Sequence, residues 1–94
     1  MAQSTILAAG NTAASSTDVV VAAGDTVTVG IFAAAGGSLP ASVAFRVEID
    51  TPGTNAFVNK LTQTNRVTVI AGPCTARVRR PAYTGTAFGV FLEN

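Results

Sequence analysis

The chain has 94 residues, a formal net charge of +1, and charged side chains at 12% of positions against 48% hydrophobic ones. Ordinary globular domains carry about 25% charged residues, so a chain of this length, folding around one core, has few charges to keep its surface dispersed. The near balance of six basic and five acidic residues excludes a partner gripped by bulk charge, whether nucleic acid or an anionic membrane, and the depletion favours a surface covered by protein neighbours.

In chain order, the first apolar run is "STILAA" (4–9). No basic segment precedes it and it is too short for the apolar part of a secretory signal, so synthesis in the cytoplasm is expected. Residues 1–16 are expected to form an extended arm or an edge strand, with "AGNTAASS" (9–16) as a loop. "TDVVVA" (17–22) and "TVTVGIF" (26–32) flank a turn at Gly24; Val27, Val29 and Ile31 share a face, and the pair reads as a hairpin. "FAAAGGSLPA" (32–41) is rich in alanine, but Gly36, Gly37 and Pro40 break any helix.

"VAFRVEID" (43–50) alternates cleanly, with Val43, Phe45, Val47 and Ile49 on one side and Ala44, Arg46, Glu48 and Asp50 on the other. That is the period of a half-buried strand. Pro52 and Gly53 suit the centre of a type II turn, and "NAFVNKL" (55–61) returns as the partner strand. "RVTVIA" (66–71), "CTARVRR" (74–80) after Gly-Pro, and "TAFGVFL" (86–92) complete about eight short strands at intervals of roughly 8 to 12 residues. The expected fold is one all-β domain over residues 1–94, a single antiparallel β-sandwich of seven or eight strands. Immunoglobulin-like and jelly-roll topologies both remain open.

Catalysis is disfavoured by inventory, because the chain has no histidine, the commonest general base and metal ligand. Among the acids Asp18, Asp25, Glu48, Asp50 and Glu93, the Glu48/Asp50 pair shares its face with Arg46 and reads as a solvated charged face rather than a hydrolytic pair. The single cysteine, Cys74, permits no intrachain disulfide and reads as a small, partly buried apolar residue. No Cys/His cluster, calcium loop or phosphate loop is present. No enzyme activity, cofactor, metal or small-molecule substrate is expected.

The densest constellation is Arg77, Arg79 and Arg80 ahead of Pro81. On a strand, Arg77 and Arg79 share one face about 7 Å apart, and Val78 and Arg80 share the other. Salt bridges within the sheet or between subunits, for example with Glu48 or Asp50, are expected in preference to nucleic-acid contact. Only Tyr83 stands near enough to stack a base. Pro81, lacking an N–H, marks the strand's departure from the ladder.

Read together, "VVVAAGDTVTVGIF", "FRVEIDTPGTNAFVNKLT" and "AGPCTARVRRPAYTGTAFGVFLEN" resemble the small β-sandwich virion accessory proteins of tailed bacteriophages. The shared pattern is a Thr/Val-rich strand after an Ala-Gly turn, a middle hairpin, and a Gly-Pro turn into a strand of alternating Arg and Val ending at Arg-Pro. The chain departs from it at Cys74 and Ala76, where the pattern has glycine and then an aromatic residue. The resemblance implies a capsid decoration (cement) protein, bound as a homo-oligomer, trimer or dimer, to the major capsid protein or other virion proteins on the outer surface of the shell. Arg77, Arg79, Arg80, Tyr83 and Arg46 are the expected contact residues, with Lys60 and Arg66 behind them. The alternative is a head-fibre or tail-associated module that binds a receptor or glycan. It would need exposed aromatic residues, and Phe32, Phe57, Tyr83, Phe88 and Phe91 are expected to serve mostly in the core.

Overall fold

Alternation along the strands sets the two layers of the molecule. In the computed structural model, which describes residues 3–34, 36–51 and 54–93, the strands are β1 (Gln3–Gly10), β2 (Ala14–Ser15), β3 (Val19–Val21), β4 (Thr26–Ala33), β5 (Phe45–Thr51), β6 (Thr54–Leu61), β7 (Val67–Ala71), β8 (Cys74–Arg80) and β9 (Phe88–Glu93). No helix occurs among the described residues, so none is long and apolar enough to cross a membrane.

Two antiparallel sheets pack face to face. The first has the order β1-β9-β4-β7 and the second β2-β8-β5-β6, with β3 also on β8. β2 pairs with the end of β8 through Ala14↔Arg80 and Ser15↔Arg79, and β3 pairs with its beginning through Val19↔Ala76, Val20↔Thr75 and Val21↔Cys74. The two pieces are one strand interrupted at Ser16. There the Val78 N–H donates to the Ser16 hydroxyl at 2.9 Å instead of to a main-chain carbonyl, while Ser16 N donates to Val78 O at 2.8 Å. A serine side chain substituting for a ladder carbonyl is the local competition that breaks strands.

With β2 and β3 counted together, eight strands alternate between the sheets at every connection except β5–β6, and the first strand lies beside the last. This is jelly-roll topology, which resolves the choice left open by the sequence. It also corrects one expectation, because residues 17–22 and 26–32 do not form a hairpin. β3 and β4 belong to opposite sheets, so Gly24, at φ 84°, turns the chain across the sandwich rather than back along one sheet. The same crossing depends on Gly72, whose N–H donates to Asp25 O at 2.9 Å and where a Cβ would run into the carbonyls of Val21 and Ala22. The β5–β6 hairpin forms as expected, from Phe45↔Leu61 to Thr51↔Thr54; the expected type II turn at Pro52 and Gly53 lies outside the described residues.

The core takes Val27, Val29 and Ile31 from β4, Phe88 and Val90 from β9 and Ile70 from β7. Against them pack Val19 and Val21 from β3, Phe45 and Val47 from β5, Leu61 from β6 and Ala76 and Val78 from β8. Leu39, buried in the connection before β5, seals one end, its N–H donating to Gln63 Oε1 at 2.8 Å. Each buried Val, Leu or Phe contributes about 1.5–3 kcal/mol, and the β-branched residues that dominate the set suit a pleated surface. Of the rings expected in the core, Phe32 and Phe91 are not in it, and the side chain of Phe57 lies outside the described residues. Phe32 and Phe91 point outward from the first sheet, each directly opposite a glycine on the neighbouring strand (Phe32↔Gly89 and Gly30↔Phe91), with the ring where a glycine Cβ would otherwise stand.

Candidate protein-interaction surface

The arginines of β8 separate by parity. Val78, fully buried, faces the core, so Arg80 two residues later also points inward and is 5% exposed. Among the described residues its guanidinium has no carboxylate partner; Nε donates to Thr12 O at 2.7 Å and Nη1 to Ala8 O at 2.8 Å and Phe88 O at 3.0 Å. It therefore ties β8 of one sheet to β1 and β9 of the other, and the planar fork of arginine suits such convergent carbonyls. The expectation that Arg80 offers its charge to a partner is corrected on this ground. Tyr83 is likewise turned inward. Its hydroxyl accepts from Phe88 N at 3.1 Å and lies 2.6 Å from Thr86 O and 3.2 Å from Gly10 O, so its polar end is spent on the chain.

Arg77 and Arg79 take the opposite parity and reach the outer face of the second sheet. β5 supplies the rest of this surface, and here a second expectation is corrected. Glu48 is 6% exposed rather than solvated, because it lies between Arg77, whose Nε is 3.1 Å from Oε1, and Arg46, whose Nε is 3.3 Å from Oε2. Burial alone pushes the Glu48 carboxyl up, but hydrogen bonds and charge from Arg77 and then Arg46 outweigh it and hold the group below its ordinary value. The expected intrasheet bridge from the arginine strand to Glu48 is thus present, and it has two arms.

Register then aligns cations that sequence alone keeps apart. Arg46 is directly opposite Lys60 on β6 and directly opposite Arg79 on β8. Their inward neighbours Val47, Leu61 and Val78 are fully buried, so Lys60, Arg46 and Arg79 stand in one outward row across three strands spaced about 4.8 Å apart. All three are exposed. Like charges directly opposite one another destabilise a sheet, and Glu48, the carboxylate that bridges Arg46, is shared with Arg77. Beside the row, Ser42, Val43, Ala44, Pro81, Ala82 and Tyr83 complete an open groove of about 640 Å³.

Lys60 ranked below the arginines in the sequence, and the hairpin register is the signal that promotes it. Arg66 is drawn the other way. It lies over the buried Phe88 ring at 5.1 Å and bonds Gln63 Oε1 at 3.3 Å, away from this surface. No group of three or more His, Cys, Asp or Glu able to hold a metal occurs among the described residues. The chain matches no known protein family, no curated protein and no solved structure.

Proposed function

We propose that this jelly-roll domain is a structural protein of a phage virion, a decoration protein that binds the outside of the capsid and reinforces contacts between its subunits. The observation that carries the reading is the cross-strand row Lys60–Arg46–Arg79. A self-repelling row costs the isolated domain stability, and that cost is offset when an acidic protein surface lies against it. Arg77 and the groove beside Tyr83 extend the contact, and arginine is favoured at such interfaces for its planar, multidentate donors. Sequence resemblance supplies the shell as the partner, and the sandwich architecture, shared with viral capsid domains, is consistent with it. Each copy adds one modest patch, and repetition around a symmetric shell multiplies the effect through avidity.

The test uses shells purified without the protein. Added chain is expected to co-sediment with them, to raise their disruption temperature, and to release as ionic strength rises, because exposed charges are screened over about 8–10 Å at 0.1–0.15 M salt. Reversing Arg46 and Arg79 to glutamate together is expected to abolish co-sedimentation. A wild-type chain that neither sediments with shells nor changes their disruption temperature would falsify the reading.

A glycan-binding fibre module is the second reading, favoured by one observation. Phe32 and Phe91, with Gln3, Ser4 and Thr5, line a shallow outer groove of about 340 Å³, a combination of rings and hydroxyls that suits a sugar. Binding on a glycan array that is lost in Phe91→Ala would select it.

A further inference from the structure

The sandwich has four strand edges, and three carry devices that discourage pairing. β1 shifts register twice, between Thr5 and Leu7 and between Leu7 and Gly10. The β2/β3 edge is broken at Ser16 and followed by Asp18. β6 is bulged at Val58, since Val47↔Asn59 is followed by Glu48↔Phe57, and it carries Lys60. Bulges, interruptions and charge are how sheets protect their edges. β7 has none of these. Its five residues, Val67-Thr68-Val69-Ile70-Ala71, are uncharged, contain no proline and pair with β4 in unbroken register.

The outer side of β7 can be read residue by residue. Ile31 N donates to Arg66 O at 3.0 Å and Gly72 N to Asp25 O at 2.9 Å. In the alternating pattern of an antiparallel ladder, Val29/Thr68 and Val27/Ile70 are therefore also the hydrogen-bonded pairs. Val67, Val69 and Ala71 then point their N–H and C=O groups away from β4, and among the described residues no strand pairs with that side. The same residues carry the exposed side chains: Val69 is 62% and Val67 47% exposed, and Ala71 is exposed too. Apart from the Ala71 carbonyl, which accepts from Cys74 Sγ at 3.5 Å, main-chain donors and acceptors open to a partner thus coincide with the apolar side chains.

We infer that β7 pairs antiparallel with β7 of a second copy of this chain about a two-fold axis through Val69, joining the two four-stranded sheets into one of eight strands. The edge is complementary to itself. Val69 faces Val69, Val67 faces Ala71, and every outward N–H meets an outward C=O. No ionisable group lies in the strand, so apposing two copies brings no like charges together. The contact is narrow, below the roughly 1,200 Å² of standard interfaces, so the pair dissociates in the micromolar range and gains from being held on a repeating surface. The pairing does not depend on the shell reading, because it is tested on the purified chain alone.

Sedimentation velocity from about 1 µM to about 1 mM should show a monomer–dimer equilibrium. Val69→Pro removes only an outward N–H, leaving the β4 ladder whole, a placement proline tolerates on an edge; Val69→Lys puts two ammonium groups across the axis. Each is expected to raise the dimer Kd at least about tenfold with an unchanged far-UV spectrum. In a Cys74→Ala background, Val69→Cys should cross-link with diamide, since hydrogen-bonded antiparallel partners stand about 5.5 Å apart at Cα, within disulfide reach. Val67→Cys, facing Ala71, should not. A wild-type chain that stays monomeric throughout, either Val69 variant dimerising as the wild type does, or cross-linking that fails at 69 or is equal at 67 and 69, overturns the proposal.

Discussion

On the outer face of the β2/β3-β8-β5-β6 sheet, Lys60, Arg46 and Arg79 stand in a row and Arg46 and Arg77 flank Glu48. The matching positions of the β1-β9-β4-β7 sheet carry Thr5, Thr28, Gly30, Phe32, Val67 and Val69, with Glu93 the ionisable strand residue there. A chain with six basic residues has placed four of them on one broad face and kept the other nearly neutral. The difference teaches how a charge-poor protein divides its contacts. The charged face can choose a partner by complementarity and lose it with salt, whereas the neutral one is suited to hydrogen-bonded and apolar association that salt leaves intact.

Adjacent residues show the same division most sharply, and comparing them gives the largest expected effect. Arg79 and Arg80 are neighbours on β8, one exposed and one buried. Arg80→Ala would leave the carbonyls of Ala8, Thr12 and Phe88 without their donor in the interior, at a cost of about 3 kcal/mol or more, because bonds to a charged donor are each worth about 1.5–3 kcal/mol. Arg80→Lys should recover little, since an ammonium cannot reproduce the fork. Arg79→Ala should stay within about 0.5 kcal/mol of wild type. Chemical denaturation of the three variants checks this, and equal losses at 79 and 80 would break the distinction between rivet and contact.

Glu48 comes next, as the one buried acid on the charged face. Glu48→Gln should cost about 1–2 kcal/mol, the lower end being favoured because the Arg77 and Arg46 side chains are 30% and 54% exposed and solvent screens them. Its folded-state pKa lies below the ordinary 4.5. The stabilisation it provides is therefore fully present above that value and disappears as pH falls through the lower folded value. Melting temperature measured from pH 7 downward should drop more steeply below about pH 4.5 in the wild type than in Glu48→Gln. Parallel curves would mean that the two-armed bridge carries no net stability.

Much of this was legible in the chain. Period-two alternation located nearly every strand, from "VAFRVEID" to "CTARVRR", because each strand has one face in the core and one outside. Topology was not, since the jelly roll is defined by β1–β9, β4–β9 and β3–β8 pairings between residues distant in sequence, and local patterns carry no record of them. The mistaken hairpin over residues 17–32 arose from a turn that fits a return as well as a crossing. Parity already placed Arg80 opposite Arg79. Nothing nearby said that an inward arginine would be accepted, because its three carbonyl partners come from residues 8, 12 and 88. The cation row was hidden for the same reason: Lys60, Arg46 and Arg79 become neighbours only when two strand registers are known.

The smallest expected effect is the most discriminating, because its sign is opposite to that of an ordinary substitution. If the row Lys60–Arg46–Arg79 is held against its own repulsion for the sake of an acidic partner, removing one end charge should relieve the domain. Lys60→Gln keeps the length and polarity of an exposed side chain and deletes one cation opposite Arg46. The fold is expected to gain about 0.2–0.5 kcal/mol, within the range of cross-strand pair terms, while co-sedimentation with shells weakens. Stability exchanged for function in this way is the usual signature of a site kept for binding. A row that serves only the fold gives the reverse pattern, with Lys60→Gln less stable and shell binding intact, and paired denaturation and sedimentation on one variant separate the two.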